Sequence, residues 1–362
     1  MGEYPDMSLG EAREARDKAR KMLKAGRDPA REKRQIVAKA TADAENTFEK
    51  VAREWHKLQK PQWTQKHAED VLDSLVIGVF PDLGHIPIKE ITPQMVLETL
   101  RAIEARPAIE TAKRVRQRMS AVFVYTIAAN IGNVDPAATV KGALAPMPVK
   151  SHQPALTDLA TARKLLRDAE ATQAHPVTKL ALRLLALTVV RPGVLRGTPW
   201  TEFPENADPI WRVPAERMKL KKQHKQDETR EFWVPLSRQA LEIIEVMRAL
   251  TGRGPLVFPS ARHAHRPMSE NAIGYLLNRA GYHGKQVPHG WRSTFSTIMN
   301  ERFVEDRAIV DLMLAHAPKD KVEGAYNRAA YMPRRVELAQ IWADLLMEGM
   351  PAAAELKLGP QR

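Results

Sequence analysis

The sequence contains no cysteine. That excludes disulfide scaffolds, thiol nucleophiles, iron–sulfur clusters and thiolate zinc sites, and leaves a metal only histidine and carboxylate ligands. Long apolar runs are also missing. The longest, about Leu180 to Val190, is interrupted by Arg183 and falls far short of the roughly 20 residues needed to span a bilayer. The opening stretch, MGEYPDMSLGEAREARDKAR, lacks the apolar core of a signal peptide. No internal repeat, paired carboxylates or metal box stands out. These absences predict a soluble, cytoplasmic protein, free of any membrane anchor.

What is present is a chain of 362 residues, 44% hydrophobic and 27% charged, which is enough for two or three domains with sizeable cores. Lys and Arg total 56 against 43 Asp and Glu, a net charge of +13 that favours a polyanionic partner, nucleic acid ahead of an anionic membrane surface. The excess is localised. Residues 11–40 carry +6, residues 106–118 carry +4 and residues 212–230 carry +4. One such cluster is commonly just a solvated face, but three that account for the whole excess describe a nucleic-acid footprint.

Residues 8–27 read as one helix, with Ser8 and Glu11 as a capping box and Gly26 as its stop. Residues 41–144 read as a small all-helical domain of four or five helices, broken at Pro61, Pro81-Asp82, Thr92-Pro93, Pro107 and Asp135-Pro136. Its core candidates include Phe48, Val51, Trp55, Leu58, Leu75, Val76, Val96 and Leu100. The helix with RVRQRMSAVFVYTIAAN is basic at its start and apolar afterwards, which suits one end on phosphates and the rest packed inside. A Pro-rich segment, residues 145–155, reads as a linker. The second domain, 156–347, is expected to be mixed α and β. Helices over 157–170 and 176–190 precede two strands, WRVP and FWVPL, joined by a basic loop; helices near 237–250, 269–280, 291–302, 305–315, 320–329 and 333–347 follow. Residues 348–362 read as a flexible tail.

Four local signals lie in this second domain. Arg191 follows an apolar helix and precedes Pro192, which ends the helix and presents the guanidinium at a corner; capping its own helix is the plainer role. His289 and Arg292, three apart at a helix start, can face one small anion. His316 follows Leu314-Ala315 and precedes Tyr326 by ten residues; singly, they are a core histidine and a packed aromatic. Lys219, Lys221 and Lys222 lie between the strands, where lysines often serve only solubility. Together these side chains suit attack by a hydroxyl on a phosphodiester, with fixed cations in place of a metal. Two guanidinium groups can hold the non-bridging oxygens, and a tyrosine of ordinary pKa about 10 needs a base to take its proton.

These residues, with LTVVRPGVLRGTPW, VPAERMK, HGWRSTFST, LAHAPKDKVEGAYNRAAY and RRVELAQIWADLL in this order, resemble the tyrosine recombinases, and among them the prophage and genomic-island integrases. The resemblance implies a mainly α fold with a small β-hairpin: a helical core-binding domain and an α+β catalytic domain closing around duplex DNA. It implies a site-specific recombinase that cleaves and rejoins DNA through a 3′-phosphotyrosyl bond, without metal or cofactor. By the same resemblance Arg191 and Arg292 clamp the scissile phosphate, and Tyr326 is the nucleophile, with Tyr331 as its rival. Lys219 protonates the leaving 5′-oxygen, with Lys221 and Lys222 as alternatives. His289 assists proton transfer from the tyrosine, and His316 bonds a phosphate oxygen.

The resemblance further implies DNA contacts from Lys113, Arg114, Arg116, Arg118, Lys221 and Lys222. Its partners would be double-stranded attachment sites, three further protomers engaged through the helix at 333–347, and accessory DNA-bending proteins. The family pattern has an acidic residue where this chain has Val194. Residues 1–40 are expected to hold only the last helix of an arm-binding module, most of which is missing. The alternatives are a decayed integrase that only binds DNA, and a type IB topoisomerase.

Overall fold

The structure is a computed structural model that describes residues 7–106, 108–147, 153–204, 209–220, 222–225, 227, 230–316 and 331–358. The chain divides into two compact units, Met1–Lys150 and Ser151–Arg362.

The first unit opens with α1 (Leu9–Lys24), whose capping box forms as expected: Ser8 N–H donates to Glu11 Oε2 at 2.8 Å, and Glu11 N–H to Ser8 Oγ at 3.3 Å. Gly26 takes a positive φ of 73°, which a side-chain-bearing residue resists, and the helix stops there. Next comes α2 (Pro29–Glu45), started by Asp28, whose carboxylate accepts from Ala30 N–H. This helix runs unbroken through residue 41, so the domain start expected there falls inside an element. Thr47 is the N-cap of α3 (Phe48–Gln59), which carries the first fully buried side chains among the described residues. Helices α4 (Gln65–Gly78), α5 (Phe80–Leu83), α6 (Pro93–Glu104), α7 (Ile109–Ala128) and α8 (Pro136–Thr139) complete this unit. Thr64, Thr92 and Asp135 cap three of them, each one residue ahead of its helix. Phe48, Leu75, Val96, Leu100, Met119 and Phe123 form the core. Leu58 and Val76 lie exposed, on the flank of the apolar stripe rather than its centre.

The second unit is organised around α10 (Pro176–Thr188), buried on nearly every side. Such a helix can carry charge only if the charge is paired. Arg183 Nε donates to Glu170 Oε1 at 2.6 Å, and Lys179 Nζ donates to the Glu170 carbonyl at 2.7 Å. Glu170 sits on α9 (Leu159–Ala171). After α10 come the one-turn α11 (Pro192–Arg196), then β1 (Ile210–Val213) and β2 (Phe232–Pro235), antiparallel with Trp211 opposite Val234. Helices α12 (Arg238–Thr251), α13 (Ala272–Leu277), α14 (Trp291–Arg302), α15 (Arg307–Met313) and α16 (Met332–Met347) close around α10. The helix expected over 320–329 lies outside the described residues.

Helix α16, expected to engage a neighbouring protomer, buries Leu338, Trp342 and Leu346 in the core of its own unit. The Trp342 indole donates to the Ala186 carbonyl at 2.9 Å and its ring meets Phe295 edge-on at 5.3 Å. One face of the helix is thus used within its own unit, while Val336 on the same helix remains exposed. Residues 348–358, the described part of the expected tail, pack on the second unit. Residues Ala353–Lys357 form a 3-10 turn with Ala353 and Leu356 buried, Ala353 N–H donates to Glu242 Oε1 at 2.7 Å, and the Pro351 carbonyl accepts from Arg183 at 2.8 Å. Among the described residues no helix is long and apolar enough to cross a membrane.

Candidate active site

The site forms where the ends of α10 and α15 meet the start of α14. Helix α10 stops at Val189, whose backbone is left-handed (φ 47°, ψ 25°). Two residues on, Arg191 is extended (φ −66°, ψ 136°), as the following proline requires, and becomes the N-cap of α11. It does not cap its own helix: its Nη2 lies 3.5 Å from the Ala315 carbonyl, beyond the end of α15. Ala315 is also left-handed, with φ 51°.

Arg292 begins α14 and is buried, 6% exposed. Its Nη1 donates to the Val189 carbonyl at 2.9 Å; its Nη2 donates to the Leu314 carbonyl at 2.5 Å and to His316 Nε2 at 3.2 Å. A guanidinium can only donate, so His316 Nε2 accepts. The proton of a neutral His316 then sits on Nδ1 and is donated to Asp311 Oδ1, 3.2 Å away. Burial, and then the charge of Arg191, lower the Arg292 pKa to about 10, so the guanidinium stays charged at neutral pH.

His289 lies one turn ahead of α14, in the 3-10 turn Pro288–Gly290, rather than on the helix itself. His289 is exposed as a residue, yet its pKa is lowered. Withdrawal from water is the largest cause, followed by the positive charges of Arg292, Arg191, Lys219 and His316. Lys219 therefore lies close enough to His289 for its charge to act on the ring. Lys219 is exposed at the apex of a tight turn in which Leu220 N–H donates to the Met218 carbonyl at 2.8 Å. Met218 is buried and Leu220 packs on the same core, so the lysine between them projects outward.

Five of the expected site residues, Arg191, Lys219, His289, Arg292 and His316, therefore gather in the second unit. Lys222 is exposed at the start of a 3-10 turn, Lys222–His224. Tyr326 and Lys221 lie outside the described residues. Tyr331 is exposed and left-handed at the N-cap of α16. Val194 points into the core, 5% exposed. The sequence did not single out Asp311, which orients His316, nor the carbonyls of Val189, Leu314 and Ala315, which hold the arginines. A backbone acceptor leaves no trace in residue type.

The expected DNA-contact residues of α7 divide in two. Arg114 is exposed and paired with Glu110 at 2.5 Å, one turn back, a contact of little strength. Lys113 is half-buried. Arg116 and Arg118 are tied to their own unit, through the carbonyls of Ala137 at 3.2 Å and Asp70 at 3.0 Å. Their charge remains, but part of their donor capacity is used internally.

Two arginines and a lysine, with two histidines beside them, define a class of site, one suited to an anionic group. Three family models match the chain: Arm DNA-binding domain at residues 1–36, Phage integrase central domain at 48–143 and Phage integrase family at 157–332. The prophage integrase IntA of Escherichia coli (strain K12) is 34% identical over 350 residues, covering 96% of this chain and 81% of that protein. Similar solved structures include a lambda integrase dimer bound to a COC′ core site, with TM-score 0.59 and 18% identity over 82% of this chain and 81% of that one. A lambda integrase tetramer bound to a Holliday junction also has TM-score 0.59, with 17% identity over 79% of this chain and 82% of that one. The chain belongs to the phage integrase family, the tyrosine recombinases. The match over residues 1–36 spans α1 and enters α2, which overturns the expectation that most of an arm-binding module is missing.

Proposed function

We propose that this protein is a site-specific recombinase that integrates or excises a prophage or genomic island by cleaving and rejoining DNA strands. The observation that carries the reading is that Arg292 bonds Val189 and His316, and that the charges of Arg191, Arg292 and Lys219 all act on His289. In this reading the two arginines hold the non-bridging oxygens of the scissile phosphate. The Tyr326 oxygen bonds to phosphorus, the bond to the 5′-oxygen breaks, and Lys219 gives that oxygen its proton. His289, held neutral, accepts the tyrosine proton. His316 bonds a phosphate oxygen.

The basic side chains at the start of α7, half-buried Lys113 and exposed Arg114, with Arg116 and Arg118, add phosphate contacts that carry affinity and little sequence information. Lys221 and Lys222 extend that contact at the hairpin. Four protomers act on two duplexes, with accessory bending proteins shaping the DNA, in the cytoplasm at the nucleoid. The lambda tetramer on a Holliday junction supports this assembly.

The test is a nicked suicide substrate that traps the covalent protein–DNA adduct. The wild-type chain should form it, and Tyr326→Phe should abolish it while retaining DNA. A wild-type chain that binds DNA and never forms an adduct would instead be a regulator that kept only the clamp.

A further inference from the structure

Two residues before Lys219, both terminal nitrogens of the Arg217 guanidinium are committed to its own unit. Nη1 donates to both carboxylate oxygens of Glu202; Nη2 donates to the Val194 carbonyl and, at 3.3 Å, to Thr198 Oγ1. Glu202 is enclosed, its side chain 6% exposed, and accepts a further bond from the Trp211 indole at 2.7 Å. Trp211 is itself fully buried on β1. The ion pair thus ties together β1, the corner helix α11 and the turn that leads to Lys219.

The covalent paths from this pair to the active site are short. Val194 is three residues beyond Arg191, and its N–H donates to the Arg191 carbonyl at 2.8 Å. On the other side, Arg217 and Met218 close a 3-10 turn onto Pro214 and Ala215 at 3.0 and 3.1 Å, and the next residue is Lys219 at its apex. One guanidinium therefore fixes the distance between the segment carrying the first clamp arginine and the segment carrying the lysine.

Stability alone is a poor reason for such a pair, because enclosing two charges costs about as much as their attraction returns and an apolar contact serves as well. An apolar contact, however, slides. A planar fork bonded in two directions sets register and orientation, and a proton donor must sit within about 0.5 Å of its productive place.

We infer that Arg217, gripped by Glu202, is a positioning residue that holds Lys219 against the leaving 5′-oxygen. This rests on the proposed recombinase reaction. There the 5′-oxygen departs with the electron pair of its bond to phosphorus and takes a proton from the Lys219 ammonium. Arg217 touches neither atom and acts only through the lysine.

A substrate with sulfur in place of the bridging 5′-oxygen tests this directly. The thiolate leaves without a proton, since an ordinary thiol has a pKa of about 8.5. Adduct formation by the full chain is measured on oxygen and sulfur substrates for the wild type, Lys219→Ala, Arg217→Lys, Arg217→Met and Glu202→Gln. The Arg217 and Glu202 variants are expected to be slowed about 10²-fold on oxygen, within the range of a lost general acid, and to return to within about threefold of wild type on sulfur. Equal slowing on both substrates in all three variants, whether from misfolding or from a disturbed phosphate clamp, overturns the inference, as does an unchanged rate on oxygen. The underlying reading fails separately: a wild type without adduct defeats the recombinase reaction, and a Lys219→Ala defect that sulfur does not relieve defeats the lysine as acid.

Discussion

The carbonyl of Val189 accepts from Arg292 at 2.9 Å, and Val189 can present it because its backbone turns left-handed at the end of α10. Ala315 does the same for Arg191 from the end of α15. Both arginines thus meet carbonyls just past the ends of helices, at residues whose backbone is left-handed. A left-handed alanine costs about 1–2 kcal/mol, of which glycine would return most, less about 0.4–1 kcal/mol for its freer unfolded chain. Ala315→Gly is therefore expected to raise stability by about 0.5–1 kcal/mol, seen as a small rise in Tm. A fall in Tm would mean that the left-handed turn is not the resting state.

Arg292 is matched to planar geometry and cannot be replaced by a point charge. Arg292→Lys should lower the rate of adduct formation by about 10²–10³, the usual loss for one donor to developing negative charge. DNA retention should change only a few fold, since affinity comes mainly from phosphate contacts elsewhere. Gel-shift and adduct assays on the same substrate separate the two.

His289 gives the protein a defined acid response. Its folded pKa lies below the ordinary histidine value, first through withdrawal from water and then through Arg292, Arg191, Lys219 and His316. The unfolded chain therefore takes up this proton first as pH falls. The group's contribution to stability is complete above the ordinary histidine range and is lost as pH drops through it. In the reaction, the acid limb of the adduct pH–rate profile should lie below that ordinary value, and His289→Gln should erase the limb with a rate loss of at least about tenfold. A limb at higher pH would remove His289 from proton transfer.

The Arg183–Glu170 pair is buried at both ends, 2% and 4% exposed. Arg183→Ala strands the carboxylate in the core and should destabilise the second unit by about 3–5 kcal/mol in urea unfolding. Arg183→Met combined with Glu170→Leu should recover most of that loss. If the double variant is no better than the single, the pair does more than satisfy its own charges.

Lys113→Ala and Arg114→Ala should each lower the slope of log K against log salt by about one, with adduct chemistry on bound substrate unchanged. Arg116→Ala should also cost stability, because its guanidinium is bonded to the Ala137 carbonyl. A Lys113→Ala variant with an unaltered salt slope would take the start of α7 off the DNA.

Much of the molecule is written locally in the sequence. The Ser8–Glu11 capping box, the threonine caps of α3, α4 and α6, the strands around Trp211 and Val234, and the proline that stops α10 at Arg191 all depend on near neighbours in the chain. The order of Arg191, His289, Arg292 and His316 was legible for the same reason, because each stands in a recognisable short motif. What the sequence could not determine is what each group meets after closure. Arg292 takes its acceptor 103 residues away, from a carbonyl that any residue type would supply. Helix α16 reads equally well as an exchange arm or a core helix, since an amphipathic stripe does not name its partner; only the packing of Trp342 against Ala186 and Phe295 decides it. Arg217 counted as one more charge in a basic loop until Glu202, enclosed beside it, gave it a direction. Periodicity and capping are short-range and survive in one dimension, whereas pairing of buried charge depends on which segments the core brings together.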